Sequence, residues 1–167
     1  MKKTAILIAI LLIVALTAMA QDTKGKSLPT VTIKTLDGKS FSTNQISNDG
    51  KPIILSFWAS WCRPCIKELS AIADVYVDWQ EETGVKLIAI SVDDSRTVNS
   101  VRPLINARGW EYEFYLDTNG DLKRAMGVNN VPHTFILNGK GEVVYQHTNY
   151  TEGSEDKLFE EVKKLAQ

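Results

Sequence analysis

Polar and apolar positions fall in blocks that predict a mixed α/β chain. Pro52 to Ala59 (PIILSFWA) and Val85 to Val92 (VKLIAISV) are nearly continuous apolar runs, too short for helices. Each predicts a strand buried on both faces. Between them Ile66, Leu69, Ile72, Ala73, Tyr76 and Gln80 fall on one helical stripe, and Gly84 supplies a stop. Upstream, Val31 to Thr35 and Ser40 to Ser42 flank Leu36-Asp37-Gly38-Lys39, the pattern of two short strands around an Asp-Gly turn. Downstream, Thr97 to Arg108 predicts a helix in which Pro103 forces a kink or a late start. Glu111 to Asp117 predicts a strand, Gly120 to Met126 a short helix, and Pro132 to Asn138 a further strand. Gly139-Lys140-Gly141 turns the chain into a strand at Glu142 to Thr148, and Ser154 to Ala166 closes it as a charged amphipathic helix. Strands alternating with helices and ending in a hairpin predict one mixed sheet covered by helices.

The N-terminus departs from this pattern. Lys2 and Lys3, the apolar run Ala5 to Leu16, and Ala18-Met19-Ala20 before Gln21 read as a secretory signal peptide over residues 1–20. The run is shorter than the ~20 residues of a membrane span, and an uncleaved membrane anchor is the alternative. No cysteine follows the run, which excludes lipid attachment there. Cleavage after Ala20 leaves 147 of the 167 residues, the size of one domain. Residues 21–30, polar with Gly25 and Pro29, read as a flexible leader, and 31–167 as the domain. Loss of Lys2 and Lys3 takes the formal charge from −1 to about −3, which argues against a nucleic-acid or anionic-membrane partner. At 44% hydrophobic the chain can build a core without disulfide staples. The expected location is the periplasm or another exported compartment, where disulfides persist. Yet the chain has two cysteines and no more.

Both lie in FWASWCRPC, residues 57–65. The preceding strand ends near Ala59 and the helix begins at Cys62 or Arg63, so Cys62 stands where unpaired backbone N–H groups and the helix dipole favour an anion. That effect is worth roughly 0.3–1 kcal/mol, up to ~2 when partly buried, which lowers a thiol from about 8.5 by up to ~1.5 pKa units. Arg63 pushes the same way, and Pro64 fits a first helical turn. Cys65 lies one turn on, on the same face and less exposed, close enough to close a disulfide. Thiolate Cys62 can attack a substrate disulfide and Cys65 can displace the product. A structural disulfide is the alternative, although a four-residue ring restrains little unfolded chain. Zinc lacks ligands beyond His133 and His147, and covalent haem would need histidine where Ile66 stands. No cofactor or metal is implied.

Trp61-Cys62-Arg63-Pro64-Cys65 between strand and helix, IAISVDD, GWEYEFYLD and GVNNVPHTFILNGKGEVV, in this order, resemble the thioredoxin superfamily and its exported TlpA/ResA-like branch. The resemblance spans roughly Val31 to Ala166. It implies a thioredoxin-like fold: a mixed central sheet flanked by helices, with an N-terminal two-strand extension and a central helical insert. Pro132 matches the family's cis-proline beside the active disulfide, with Val131 offering backbone groups to substrate. Trp61, Arg63 and Pro64 belong to the substrate-facing surface, Trp61 shielding the thiols; plain core packing is its alternative. Glu68 matches an acidic position that tunes the thiols and can shuttle a proton to or from Cys65; a solvated glutamate paired with lysine is the alternative. Ser56 stands where cytosolic relatives carry aspartate.

The implied activity is thiol–disulfide exchange, expected to reduce client proteins, with apocytochrome c as one such client and a membrane-embedded thiol reductant as electron source. The protein is expected to act as a monomer. Three alternatives stand beside it. A disulfide-donating oxidase differs in reduction potential. A peroxiredoxin-like peroxidase needs proline and a hydroxyl residue where Leu55 and Ala59 stand. A redox-assisted binding or chaperone module would not need Cys62. His133 either approaches the site or faces the opposite side of the sheet, and His147 reads as a surface or half-buried strand residue. Asp117-Thr118-Asn119-Gly120-Asp121 starts like a calcium loop, but Leu122 and Val128 break the pattern, so it reads as a helix-capping turn. Asn149-Tyr150-Thr151 fits a glycosylation sequon.

Overall fold

The structure, a computed structural model, describes residues 25–166; the signal-peptide reading of residues 1–20 lies outside them. The elements are β1 (Thr32–Thr35), β2 (Ser40–Ser42), β3 (Ile53–Trp58), α1 (Arg63–Thr83), β4 (Lys86–Ser91), α2 (Val101–Arg108), β5 (Glu113–Leu116), α3 (Asp121–Ala125), β6 (His133–Leu137), β7 (Val143–Thr148) and α4 (Ser154–Lys163). The strands form one mixed sheet in the order β2-β1-β5-β4-β3-β6-β7. β3, β4 and β5 are parallel, and β6 runs antiparallel beside β3. The two-strand extension joins at β5, against which β1 is antiparallel. Every residue of β3 and β6 is buried, as continuous apolar runs require.

The sheet separates two cores. Ile54, Trp58, Leu87, Ala89 and Ile136 face α1, α2 and α4. Ile53, Leu55, Phe57, Ile90 and Phe135 face the other way, onto Leu122 and Met126 around α3. On α1 the buried stripe is Cys65, Glu68, Leu69, Ile72, Tyr76, Trp79 and Thr83. The sequence places Gln80 on that stripe, but Trp79 takes the position and stacks on Phe159 of α4 at 4.6 Å, because the larger ring covers more of the facing helix. Gly84 ends α1 in the left-handed region with φ of 67°. The helical insert starts late, as Pro103 allows: a 3-10 turn over Val98–Ser100 leads into α2, whose third residue is Pro103. Its missing N–H falls in the first turn, where no intrahelical partner exists.

The stretch 25–30, read from sequence as flexible, is tied down. Gly25 N–H donates to Val143 O at 2.6 Å, Val143 N–H to Lys26 O at 2.9 Å, and Leu28 N–H to Gly141 O at 3.1 Å. These bonds occupy backbone groups beside the β6–β7 turn that strand pairing leaves open. A register shift between Ile136 and Leu137 makes Val144 an extra residue on β7, since Ile136 faces Tyr145 and Leu137 faces Val143. The bulge reverses the parity of β7, and it decides where His147 points.

Candidate active site

Cys62 is the N-cap of α1, in an extended conformation (φ −90°, ψ 97°), with Arg63 and Pro64 as the first two helical residues. Its Sγ accepts a hydrogen bond from Cys65 N–H at 3.3 Å, and its carbonyl accepts from Ile66 N–H at 3.1 Å. The sulfur thus sits against the open N–H groups of a 21-residue helix, where the dipole favours a thiolate. Cys62 and Cys65 are joined in a disulfide with Cα atoms 5.3 Å apart. Cys62 is almost buried and Cys65 entirely so, the order expected of an attacking and a resolving thiol. Trp61 is 61% exposed, so its core-packing alternative fails. Arg63 and Pro64 are exposed beside it.

The loop leading into Cys62 has an anchor that sequence reasoning missed. Asp93, fully buried, accepts hydrogen bonds from Ser60 N–H at 2.8 Å, Ser60 Oγ at 2.6 Å and Ser91 Oγ at 2.8 Å. The carboxylate at the end of β4 thereby fixes the residue two before the nucleophile. Across the sheet, the Val131–Pro132 peptide bond is cis. The register Phe57↔His133 sets Pro132 beside the end of β3, where the cysteine loop begins. Val131 is half-buried against the apolar cluster that contains both cysteines.

Glu68 lies one helical turn after Cys65 and is 1% exposed, so the solvated-glutamate alternative fails. It covers a row of polar side chains that the register lines up on one face: Ser56 pairs with Thr134, and Thr134 with His147. His147 Nε2 lies 2.8 Å from Glu68 Oε1. Thr134 Oγ1 lies 3.2 and 3.3 Å from the two carboxylate oxygens and 3.3 Å from Ser56 Oγ. His147 is thus half-buried, as one sequence reading has it, yet engaged with the site. His133 faces the opposite side, stacked on Phe135 at 4.3 Å with Nε2 3.1 Å from Gln146 Oε1. Burial holds its imidazole below the ordinary histidine value, against the hydrogen bond to Gln146. Asp117 accepts from Leu122 N–H at 3.2 Å and Lys123 N–H at 2.7 Å, the capping turn read from sequence.

A redox pair with this geometry has relatives. The family model described as AhpC/TSA family matches residues 24–146. The chain belongs to the AhpC/TSA family. It is 34% identical over 128 residues, 75% of each chain, to the sporulation thiol-disulfide oxidoreductase A of Bacillus subtilis. To the thiol-disulfide oxidoreductase ResA of Bacillus thuringiensis it is 30% identical over 122 residues, 73% of this chain and 68% of that one. A thioredoxin-like protein from Porphyromonas gingivalis, known from a solution structure, shares 50% identity at a TM-score of 0.75, covering 87% of this chain and 94% of that chain. The fold is thioredoxin-like, and the activity is thiol–disulfide exchange at Cys62 and Cys65.

Two further features bear on how this AhpC/TSA-family oxidoreductase works. Leu55 and Ala59, the positions at which a peroxidase would carry proline and a hydroxyl, are fully buried and apolar. Arg63, Ile66, Lys67 and Ser70 of α1 line an open groove together with Tyr150 and Glu155. Among the described residues, no group of three or more His, Cys, Asp or Glu side chains is placed to hold a metal ion, and no helix is long and apolar enough to cross a membrane.

Proposed function

We propose that the protein is an exported reductase of client-protein disulfides, in which Cys62 attacks and Cys65 resolves. The hydrogen bond from Cys65 N–H to Cys62 Sγ at the N-terminus of α1 carries the reading, since it supports the sulfur as an anion. In the reduced enzyme, the Cys62 thiolate attacks one sulfur of a client disulfide. A mixed disulfide forms, and the other client sulfur leaves as a thiolate that takes a proton from water. Cys65 then gives its proton to Glu68 and attacks Cys62 Sγ, releasing the second client sulfur. The client gains two electrons and the enzyme loses two, so a thiol reductant must return them, and the proposed source is a membrane-embedded dithiol. Trp61, Arg63 and Pro64 form the exposed rim that meets the client. Val131 offers backbone groups beside Pro132, and apocytochrome c is one fitting client.

A Cys65→Ser chain lacks the resolving thiol, so clients should stay linked to Cys62 and can be identified by mass spectrometry. Equilibration with thiol buffers reads the direction. A potential near the thioredoxin value of about −270 mV supports a reductase, and one near about −120 mV would make the protein an oxidase.

A further inference from the structure

The resolving step releases one proton from Cys65 at each turnover, and Glu68 is the acceptor in the proposed cycle. Yet Glu68 is 1% exposed and cannot trade that proton with water directly. Its hydrogen-bond partners among the described residues are Thr134 Oγ1 and His147 Nε2. The hydroxyl leads only inward, to Ser56, a fully buried side chain. The imidazole leads outward: the His147 side chain is 17% exposed. The side-chain nitrogen and oxygen atoms buried without a partner among the described residues are Trp58 Nε1 and Thr97 Oγ1. Among the described residues the second ring nitrogen of His147 has no hydrogen-bond partner, and it belongs to the side chain that reaches the surface.

We propose that His147 is a positioning residue that conducts the proton of Glu68 to and from solvent. The inference rests on the reading of Glu68 as the acid–base partner of Cys65. As Cys65 attacks, its proton passes to the Glu68 carboxylate and on to Nε2, while Nδ1 releases a proton to water. The ring is left as the Nε2–H tautomer, donating to ionised Glu68. During re-reduction the path reverses: water protonates Nδ1, Nε2 returns a proton to Glu68, and Glu68 protonates the Cys65 thiolate. The tautomer is restored over one full cycle, and no proton is gained or lost by the relay.

The titratable neighbours of this relay come from several elements. Tyr145 lies on the same strand, its ring centroid 6.0 Å from that of His147. His133, on the other face of the sheet, feels its charge. Tyr150 follows β7; its hydroxyl is pushed up to about 12 by burial first, then by the hydrogen bond to Glu155, then by the charges of Glu155, Glu152 and Glu68. Glu161 and Lys164 act on Tyr145 from the C-terminal end of the chain. Of these groups, His147 is the one that hydrogen-bonds Glu68 among the described residues.

The test uses 5,5′-dithiobis(2-nitrobenzoate) with the fully reduced chain. Cys62 forms a mixed disulfide and releases one thionitrobenzoate; Cys65 then resolves it and releases a second, so the second phase reads the Cys65 step alone. In His147→Gln, which can keep a hydrogen bond to Glu68 but cannot relay, the second phase should slow by about tenfold or more. Its pH dependence should shift while the first phase is unchanged. In His147→Ala the same phase should slow, and added imidazole should restore it. The proposal is overturned if His147→Gln keeps the wild-type rate and pH profile, or if imidazole fails to rescue a folded His147→Ala chain. Glu68→Gln separates the layers. A slowed second phase there with unaffected His147 variants removes the relay alone; an unaffected Glu68→Gln removes the Glu68 reading and the relay with it.

Discussion

Replacing Asp93 tests whether a buried carboxylate holds the cysteine loop in place. The side chain accepts three hydrogen bonds, from Ser60 N–H, Ser60 Oγ and Ser91 Oγ. In Asp93→Asn the amide oxygen can take the place of Oδ2, which serves Ser60 N–H and Ser91 Oγ, while the amide nitrogen faces Ser60 Oγ, a hydroxyl able to reverse and accept. The bonds survive, and the charge is lost. Hydrogen bonds to charged groups are worth about 1.5–3 kcal/mol and neutral ones about 0.5–1.5, so at about 1 kcal/mol lost per bond the isosteric change should cost about 3 kcal/mol. Asp93→Ala strands the buried Ser91 hydroxyl as well and should cost about 4 kcal/mol or more. With a urea dependence of about 1–3 kcal/mol per M, the Asn variant should unfold about 1–3 M earlier than the wild type. The assay is urea unfolding of the oxidised chain, followed by tryptophan fluorescence. A midpoint within about 0.3 M of wild type for Asp93→Asn would refute the reasoning, because it would leave three short bonds with no measurable dependence on charge.

Other perturbations probe separate links. His133 is held below the ordinary histidine value by burial, so the unfolded chain protonates first and stability is lost as pH falls below about 6.5; His133→Phe should flatten that loss in denaturation at about pH 7.5 and 5.5. Trp79→Ala removes a 4%-exposed ring stacked on Phe159 and should cost about 3–5 kcal/mol in the same assay. Gly139→Ala would put a Cβ 1.9 Å from Gly50 O, a clash with backbone that should cost about 1–3 kcal/mol or more. In the reduced protein, iodoacetamide should modify Cys62 well before Cys65, and Arg63→Glu should raise the pH at which Cys62 reacts; equal reactivity of the two thiols would contradict the helix-cap assignment.

How far such features were legible depends on how locally they are encoded. Strands β3 and β4 announce themselves because burial on both faces leaves no polar alternation in 52–59 and 85–92. The nucleophile was legible for the same reason: strand, short loop, Cys62, then Pro64 at a helix start all lie within a few residues. Glu68 was half-legible, three after Cys65 and one before Leu69 on a buried stripe. His147 was not. Its orientation depends on the bulge at Val144, and plain alternation from the buried Val143 puts it in the other core. Nor was Asp93: in the pair Asp93-Asp94, one carboxylate is buried under Ser60 while the next sits exposed, bound to Arg96 at 2.7 Å. Only the path of the chain after β4 separates them.

The two sulfurs belong to one helix, yet only one of them stands at its open N-terminal end. Cys62, outside the first turn, faces the open N–H groups and the positive end of the dipole, worth up to ~2 kcal/mol toward the anion when partly buried. Cys65, in the third helical position and fully buried, gains little from that end. Glu68, itself buried, follows one helical turn later, and the proposed cycle makes its carboxylate the acceptor of the Cys65 proton. Under the proposed cycle this asymmetry sets the order of events. The exposed-side sulfur is ready to attack at neutral pH. The inner one stays silent until a mixed disulfide stands beside it and Glu68 is free to take its proton. A second ready thiolate would favour premature ring closure with any weak oxidant. Under the same proposal the buried Glu68–His147 pair would act as a brake on Cys65 as well as a route for its proton, and both effects require the carboxylate, 1% exposed, to reach water through the imidazole.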